Sequence, residues 1–421
     1  MGGALKKNFG RMNARQFIVF LYLWILFLAG LYHIMALPPF QGWDEKAHYT
    51  YICQIAVTGM IPVYGKSFID AELLGTEIPP RPPHEKLLNY EAQHPPLYYI
   101  FMASLEKALE SFAPVEMRLV LLRVASLCLA LTGVAFGLMA VTDKQRPLSD
   151  NPAAFGFLLY PIVFPAFIPE FARVGNDSLC LFFAGAIALL LCRSLKDEDN
   201  KKWTLSLGIL LGAGLLTKAF FIPILAAVTM FFAMRRTHRL HAALILCSAL
   251  LIGGWWYIYK YIAYGDFIGS DDGIRFAQAH GNSLGSLQQN FSVQAFAEQV
   301  MITLRSYIFV MPDLGNWRHW PPLPILVPVL SIIVLGFFGY AVQLRRQPVT
   351  HPLWLPVWLG SLFGGGLIYH ILLEIASSDH DITPGWYMHI LMPWFAPAMG
   401  IGVCTVVKGL WRKLPFNSTL P

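Results

Sequence analysis

QFIVFLYLWILFLAGLYHIMAL (Gln16–Leu37), followed directly by PPFQGWDEKAHY (Pro38–Tyr49), is the stretch from which the rest of the chain is read. Its first part is about 22 apolar residues, enough for a helix to cross a hydrocarbon core of ~30 Å. Lys6, Lys7, Arg11 and Arg15 precede it. A secretory signal has a shorter apolar centre of about 7–15 residues and ends in a small-x-small site. His33-Ile34-Met35-Ala36 is a poor one. The segment therefore reads as an uncleaved anchor with its N-terminus in the cytoplasm. Pro38 and Pro39 end the helix, because proline lacks the N–H that an interior turn requires. Asp44 and Glu45 then follow directly outside the membrane.

Apolar runs of the same kind recur over all 421 residues, of which 56% are hydrophobic and 13% charged. Mean hydropathy is +0.52. A soluble domain carries about 25% charged residues, so a soluble enzyme, a disordered chain and a nucleic-acid-binding domain are excluded. The formal charge of +6 is concentrated in short loops between apolar runs. Ten spans are expected, at about 16–37, 118–141, 152–169, 175–194, 203–217, 219–234, 240–262, 323–343, 353–374 and 386–408. The basic loops Asp143–Arg146, Lys196–Lys202, Arg235–Arg239, Arg345-Arg346 and Lys408–Lys413 then all fall on the cytoplasmic side, as the positive-inside rule requires. Two further stretches, 97–112 and 296–311, carry Glu106, Lys107, Glu110, Glu298 and Arg305 and are expected to lie in the outer interface. The sequence thus predicts an all-α polytopic membrane protein, 1–421 forming one membrane domain. It has a large outer loop at 38–117, a second at 263–322 and a short one at 375–385. Cys53, Cys128, Cys180, Cys192, Cys247 and Cys404 make no disulfide framework, five of them lying in apolar runs. Asn417-Ser418-Thr419 matches a glycosylation sequon but falls on the cytoplasmic tail.

The titratable groups gather at the outer face: Asp44, Glu45, His84, Glu85, Glu91, His94, Glu170, Arg173, Asp177, Lys218, Asp266, Asp271, Asp272, Arg305, Arg318, His319, Asp379, His380, Asp381 and His389. A transporter concentrates polar groups near the bilayer midplane, so chemistry or recognition at the outer surface is favoured. Asp44 opens a helix over 45–58 that Gly59 closes, with Ala47, Tyr51 and Ile55 on one apolar face. Asp44 is a good N-cap, and a carboxylate there can also act as a general base. Pro95 and Pro96 start the helix at 97, and Tyr98 and Tyr99 suit the aromatic belt. Lys218 sits in a hairpin between apolar spans, where it either snorkels to headgroups or meets a phosphate. Arg173 has the same two readings, with Glu170 three residues earlier as a plain ion-pair partner. Asp271-Asp272-Gly273 reads as a turn and Asp379–Asp381 as a solvated loop. Aromatic faces at Trp317-Arg318-His319-Trp320 would suit a ligand platform or interface anchoring.

Asp44-Glu45 after the first span, and His94-Pro95-Pro96-Leu97-Tyr98-Tyr99 before the second, together resemble the GT-C superfamily of integral-membrane glycosyltransferases. The likeness is to bacterial relatives of the dolichyl-phosphate-mannose protein mannosyltransferases. Asn176-Asp177, Leu215-Leu216-Thr217-Lys218, Tyr264–Gly269 and Pro384–His389 are similar segments, so the resemblance runs over about 38–400. One departure is Trp386-Tyr387, where relatives often have Arg-Tyr.

The resemblance implies an inverting transfer from a polyprenyl-phosphate-linked sugar to a glycan, lipid or protein acceptor, outside the bacterial cytoplasmic membrane. It makes Asp44 the expected base, with Glu45 orienting it or the sugar. Lys218, Arg173, Asp177, His84, His94, Tyr98, Tyr387 and His389 are the residues expected to meet substrate. Such chemistry needs one carboxylate to deprotonate the acceptor and cations or donors for the leaving phosphate. The residues assign no cofactor with certainty; a divalent cation stays open, with Asp44, Glu45 and the Asp379–Asp381 cluster as its candidate ligands. The alternatives are a transporter or flippase, or a non-catalytic partner, for a lipid-linked envelope glycan.

Overall fold

A computed structural model describes residues 14–74, 87–142, 150–197, 200–265, 267, 287, 290–309, 321–377 and 383–411. Everything regular in them is helical, apart from one isolated antiparallel bridge between Phe68 and Leu88. Among the described residues, seven helical segments are long and apolar enough to cross a membrane: Gln16–Ala36, Val115–Val141, Asp177–Lys196, Arg239–Tyr264, Leu323–Leu344, Pro352–Ala376 and Gly385–Trp411. The chain is therefore an all-helical multi-pass membrane protein.

Thirteen main helices organise the described residues. In chain order they are α1 (Ala14–Ala36), α2 (Glu45–Thr58), α3 (Leu97–Leu109), α4 (Val115–Val141), α5 (Pro152–Val163), α6 (Asp177–Lys196), α7 (Lys201–Leu215), α8 (Phe221–Met234), α9 (Arg239–Tyr264), α10 (Val293–Ile308), α11 (Leu323–Leu344), α12 (Leu355–Ser377) and α13 (Met392–Trp411). Each of the ten expected spans contains a helix, but three are short. α5 has 12 residues, α7 has 15 and α8 has 14, so ten full crossings do not follow from length. The span expected over 152–169 is broken for a local reason. Pro165 disfavours helix in the residue before it, so α5 ends at Val163 and a separate turn of helix forms at Phe167–Phe171. α9 is interrupted by a π-helical turn at Leu250–Gly254. The two charged apolar stretches are α3, of 13 residues, and α10, of 16; neither is among the helices long enough to cross.

In lipid, helices associate by close backbone contact rather than by escape from water, which favours small residues at crossings. α4 and α6 meet in this way, and a Cβ placed on Gly133 or Gly185 would collide with the partner's backbone. Gly339 and Gly402 bring α11 onto α13 likewise. The buried apolar side chains form two principal clusters. One joins α2, α3, α4 and α6 to α7, α8, α9 and α12 and includes Tyr51, Tyr99, Phe221 and Phe363. The other joins α1, α5, the 164–171 segment, α10, α11 and α13 and includes Phe157, Tyr160, Phe167 and Tyr307. Met388 and Phe395 pack against both. The charged site lies among the segments between these clusters: the start of α2, the 170–177 loop and the 3₁₀ turn Gly385–Leu391 that leads into α13.

Candidate functional site

Asp44 occupies the N-cap position of α2, and its carbonyl accepts the first helical bond from His48 N at 2.9 Å. Its side chain makes no capping bond. The backbone is left-handed, φ 55° and ψ 6°, a conformation that strains a residue carrying a Cβ. Among the described residues Phe40 is the other non-glycine with positive φ. The turn after the double proline thus aims the carboxylate away from the helix end. Its Oδ1 accepts a hydrogen bond from Tyr90 Oη at 2.9 Å. The side chain is solvent-exposed, yet enough protein surrounds it for burial to push its titration upward. Glu91 acts in the same direction, and Arg173, the Tyr90 hydrogen bond and Lys218 oppose them.

Glu45, the next residue, has the opposite environment. It is fully buried, and Arg123 of α4 grips it with two bonds, Nε to Oε1 at 2.8 Å and Nη2 to Oε2 at 2.6 Å. Val174 N adds a third bond at 3.1 Å. Arg123 also donates to the carbonyls of Ile34, Leu37 and Pro38. This node satisfies the end of α1, the start of α2 and the 172–176 loop together, so Glu45 places Asp44 through the backbone that the two share.

A second carboxylate, Glu91, stands in the 3₁₀ turn Tyr90–Gln93. It is buried and lies 3.1 Å from His94 Nε2 and 3.3 Å from His48 Nδ1, and it accepts from Tyr99 Oη at 3.2 Å. Burial opposes its ionisation, but His48 and His94 outweigh it and hold the carboxyl below its usual range. His48 itself is pushed by burial down to about 3. It is therefore neutral near pH 7; its Nδ1 shares a hydrogen bond with Tyr99 Oη at 2.9 Å, and its charge acts on Glu91 only in acid, where it protonates.

The third group spans the 170–177 loop and the α7–α8 hairpin. Arg173, buried, donates to Glu170 Oε1 at 2.6 Å and to the Trp43 carbonyl at 2.8 Å, and lies 3.7 Å from Asp177 Oδ2. Its Nε has no partner among the described residues. Burial pushes the Glu170 carboxyl up, against the pull of Arg173. Lys218 donates to both oxygens of Asp177, at 3.0 and 3.1 Å, and its Nζ lies 4.4 Å from the ring centres of Phe220 and Tyr387. It points inward, so snorkelling is corrected by the buried ion pair with Asp177. Leu97 N donates to the Leu216 carbonyl and Tyr257 Oη to that of Leu215, which fixes the hairpin. Trp386 packs on Trp43 with ring centres 5.4 Å apart, placing the Gly385–Leu391 turn beside Asp44.

Asp44, Arg173, Asp177, Lys218, His94 and Tyr387 are thus brought into one region, and Glu45 lies immediately beneath. Tyr98 is completely buried, bonded to Ser126 Oγ at 2.8 Å and accepting from Gly175 N at 3.1 Å. Tyr99 is equally buried, so neither ring joins an aromatic belt. Both hydroxyls are engaged in holding the 172–176 loop and Glu91. His389 lies in an aromatic nest of Tyr160, Phe164, Phe167 and Tyr307, with Nδ1 3.2 Å from Tyr160 Oη and no partner for Nε2. His84, Glu85, Asp266, Asp271, Asp272, Trp317, Arg318, His319, Trp320 and Asp379–Asp381 lie outside the described residues. Among the described residues no group of three or more His, Cys, Asp or Glu side chains is placed to hold a metal ion. The sequence reading assigned no role to Arg123, His48, Tyr90 or Glu91. The local signal was the Glu91-x-x-His94 spacing beside the double proline; the pairing with His48 is visible only in three dimensions.

The fold and the grouped charges define a polytopic helical membrane protein with a cluster of buried ion pairs beside an exposed carboxylate. Residues 94–257 match the family model described as dolichyl-phosphate-mannose-protein mannosyltransferase. Over that stretch the match bears out the resemblance to GT-C-type membrane glycosyltransferases, and it includes His94, Arg123, Glu170, Arg173, Asp177 and Lys218. No curated protein matches the chain. Among solved structures, it is similar to the crystal structure of ArnT from Cupriavidus metallidurans bound to undecaprenyl phosphate. The identity is 15%, the TM-score 0.36, and the coverage 93% of this chain and 80% of that one. A TM-score of this size carries no argument about the present site.

Proposed function

We propose that the protein transfers a sugar from a polyprenyl-phosphate carrier to an acceptor hydroxyl or amine at the outer face of the bacterial cytoplasmic membrane, with inversion. Asp44 is the general base. The observation that carries this reading is the exposed, left-handed Asp44, held by Tyr90 through one oxygen while Glu45 beside it is fully committed to Arg123. The acceptor gives its proton to Asp44, and its oxygen or nitrogen bonds to the anomeric carbon. The bond from that carbon to the phosphate oxygen breaks, and the electron pair leaves with the phosphate. Arg173 and Lys218 supply positive charge for the leaving group, and the unpartnered Arg173 Nε is a donor available to it. His94, Tyr387 and Asp177 border the same space. Tyr98 holds the loop that carries Arg173, and His389 backs the Gly385–Leu391 turn. His84 is a further candidate for contact with the sugar or phosphate.

Lipid-extract mass spectrometry on a host lacking the gene tests the reaction class. Accumulation of a polyprenyl-phosphate sugar that clears on complementation supports it, and its mass names the sugar class. An unchanged lipid profile rejects a polyprenyl-phosphate donor.

A further inference from the structure

The turn Tyr90–Gln93 acts on Asp44 in two opposite senses, by a hydrogen bond from Tyr90 and by the charge of Glu91. Tyr90 Oη donates to Asp44 Oδ1 at 2.9 Å. A hydrogen bond to the charged form of a carboxylate favours that form and makes it a weaker base. The adjacent residue, Glu91, brings a second carboxylate into the same neighbourhood. Glu91 is 5% exposed, and its Oε2 lies within 3.3 Å of Tyr99 Oη, His94 Nε2 and His48 Nδ1. A like charge nearby favours the protonated form of Asp44 and makes it a stronger base. The turn that carries both residues is itself fixed. Asn89 accepts from Glu91 N at 3.1 Å and donates from Nδ2 to the Ala47 carbonyl of α2 at 3.1 Å. Tyr51 Oη donates to the His94 carbonyl. Tyr90, Glu91 and Asp44 therefore hold their relation through α2 and cannot drift independently.

We propose that Tyr90 and Glu91 are positioning residues that set the basicity of Asp44, Tyr90 by its hydrogen bond and Glu91 by its buried carboxylate. This rests on Asp44 being the base. Among the described residues, Arg173, from the 170–177 loop, and Lys218, from the α7–α8 hairpin, also act on Asp44, and both lower its basicity. Tyr387, from the Gly385–Leu391 turn, packs on the Lys218 ammonium, 4.4 Å from its ring centre. Glu91 is the facing group that works against both cations, so it keeps a carboxylate flanked by Arg173 and Lys218 basic enough to accept a proton. Burial supports the same direction for Asp44.

The test measures the Asp44 titration directly on the full chain purified in detergent. Dicyclohexylcarbodiimide reacts with protonated carboxyls, and peptide mass spectrometry after labelling over a pH series gives the midpoint at Asp44. In Glu91→Gln the midpoint should fall by about one pH unit, so labelling at a fixed pH above both midpoints drops about tenfold. In Tyr90→Phe it should rise, because only the hydroxyl is removed. Tyr90 is half-buried, so this variant keeps the test open if Glu91→Gln does not fold. Shifts of opposite sign support the proposal. No shift in Tyr90→Phe, or shifts of the same sign, overturn it. The functional reading fails separately: if the shifts occur but Asp44→Asn clears the donor lipid as wild type does, Asp44 is not the base.

Discussion

Glu45 Oε2 lies 2.6 Å from Arg123 Nη2, whereas the carboxylate of Asp44, one residue earlier, lies 2.9 Å from the hydroxyl of Tyr90 and has no ion pair within salt-bridge distance among the described residues. Of these adjacent acids, one is locked in a buried ion pair and the other is held by a single hydrogen bond at the surface. The division predicts different failures. Breaking a buried ion pair by removing one partner leaves the other charge uncompensated, at about 3–5 kcal/mol. Arg123→Met and Glu45→Gln should each lower the apparent Tm and the yield of folded protein. Asp44→Asn should leave both near wild type. Thermal unfolding of the three purified variants checks this, and an unfolded Asp44→Asn would contradict it.

Lys218 and Asp177 form a pair whose members should depend on each other. Lys218→Met or Asp177→Asn alone leaves a buried charge and should be destabilising. The double variant removes both charges and should recover part of the lost stability while transfer stays abolished, because the phosphate loses its cation. A double-mutant cycle in apparent Tm, read beside donor-lipid clearance, measures both effects.

Acid should weaken the fold through His48. Burial lowers it from its ordinary 6.5 to about 3, so the unfolded chain takes up a proton at higher pH than the folded one. Its stabilising contribution is whole above about 6.5 and is lost as pH falls toward 3, at no more than about 1.4 kcal/mol per pH unit. Glu91, also held low, acts in the same sense below its ordinary range near 4.5. The apparent Tm of wild type should therefore fall between pH 6.5 and pH 4, and that of His48→Gln should fall less steeply over the same interval. Equal slopes would contradict this.

The α4–α6 crossing should not accept a side chain. Gly185 lies against the Gly133 carbonyl, and overpacking of this kind costs about 1–3 kcal/mol or forces the helices apart. Gly185→Leu should lower the apparent Tm well below that of Gly364→Leu, a site with open space around it.

The helices were legible because apolar length and alternating basic loops are one-dimensional signals. Helix 45–58 and its closure at Gly59, φ 70°, also followed from local rules. The break near Pro165 shows where length alone misled, since an apolar run continued across a residue that stops helix. The site was legible in its residue types but not in its pairings. Asp44 read equally as a helix cap, and only its left-handed backbone separates the two roles. Lys218 read two ways, as a snorkelling side chain or as a cation for a phosphate, because its partner, Asp177, is 41 residues away. Glu91 acquires its meaning from His48, on another helix, which no local spacing reveals.

The measurement that bears most directly on the function is donor-lipid clearance in a deletion host complemented with Asp44→Asn, at protein levels matched to wild type. The polyprenyl-phosphate sugar that accumulates in the deletion should remain with Asp44→Asn and disappear with wild type, while the variant's apparent Tm stays unchanged. Clearance by Asp44→Asn at the wild-type rate would contradict a general-base role and leave Asp44 as a strained turn residue alone.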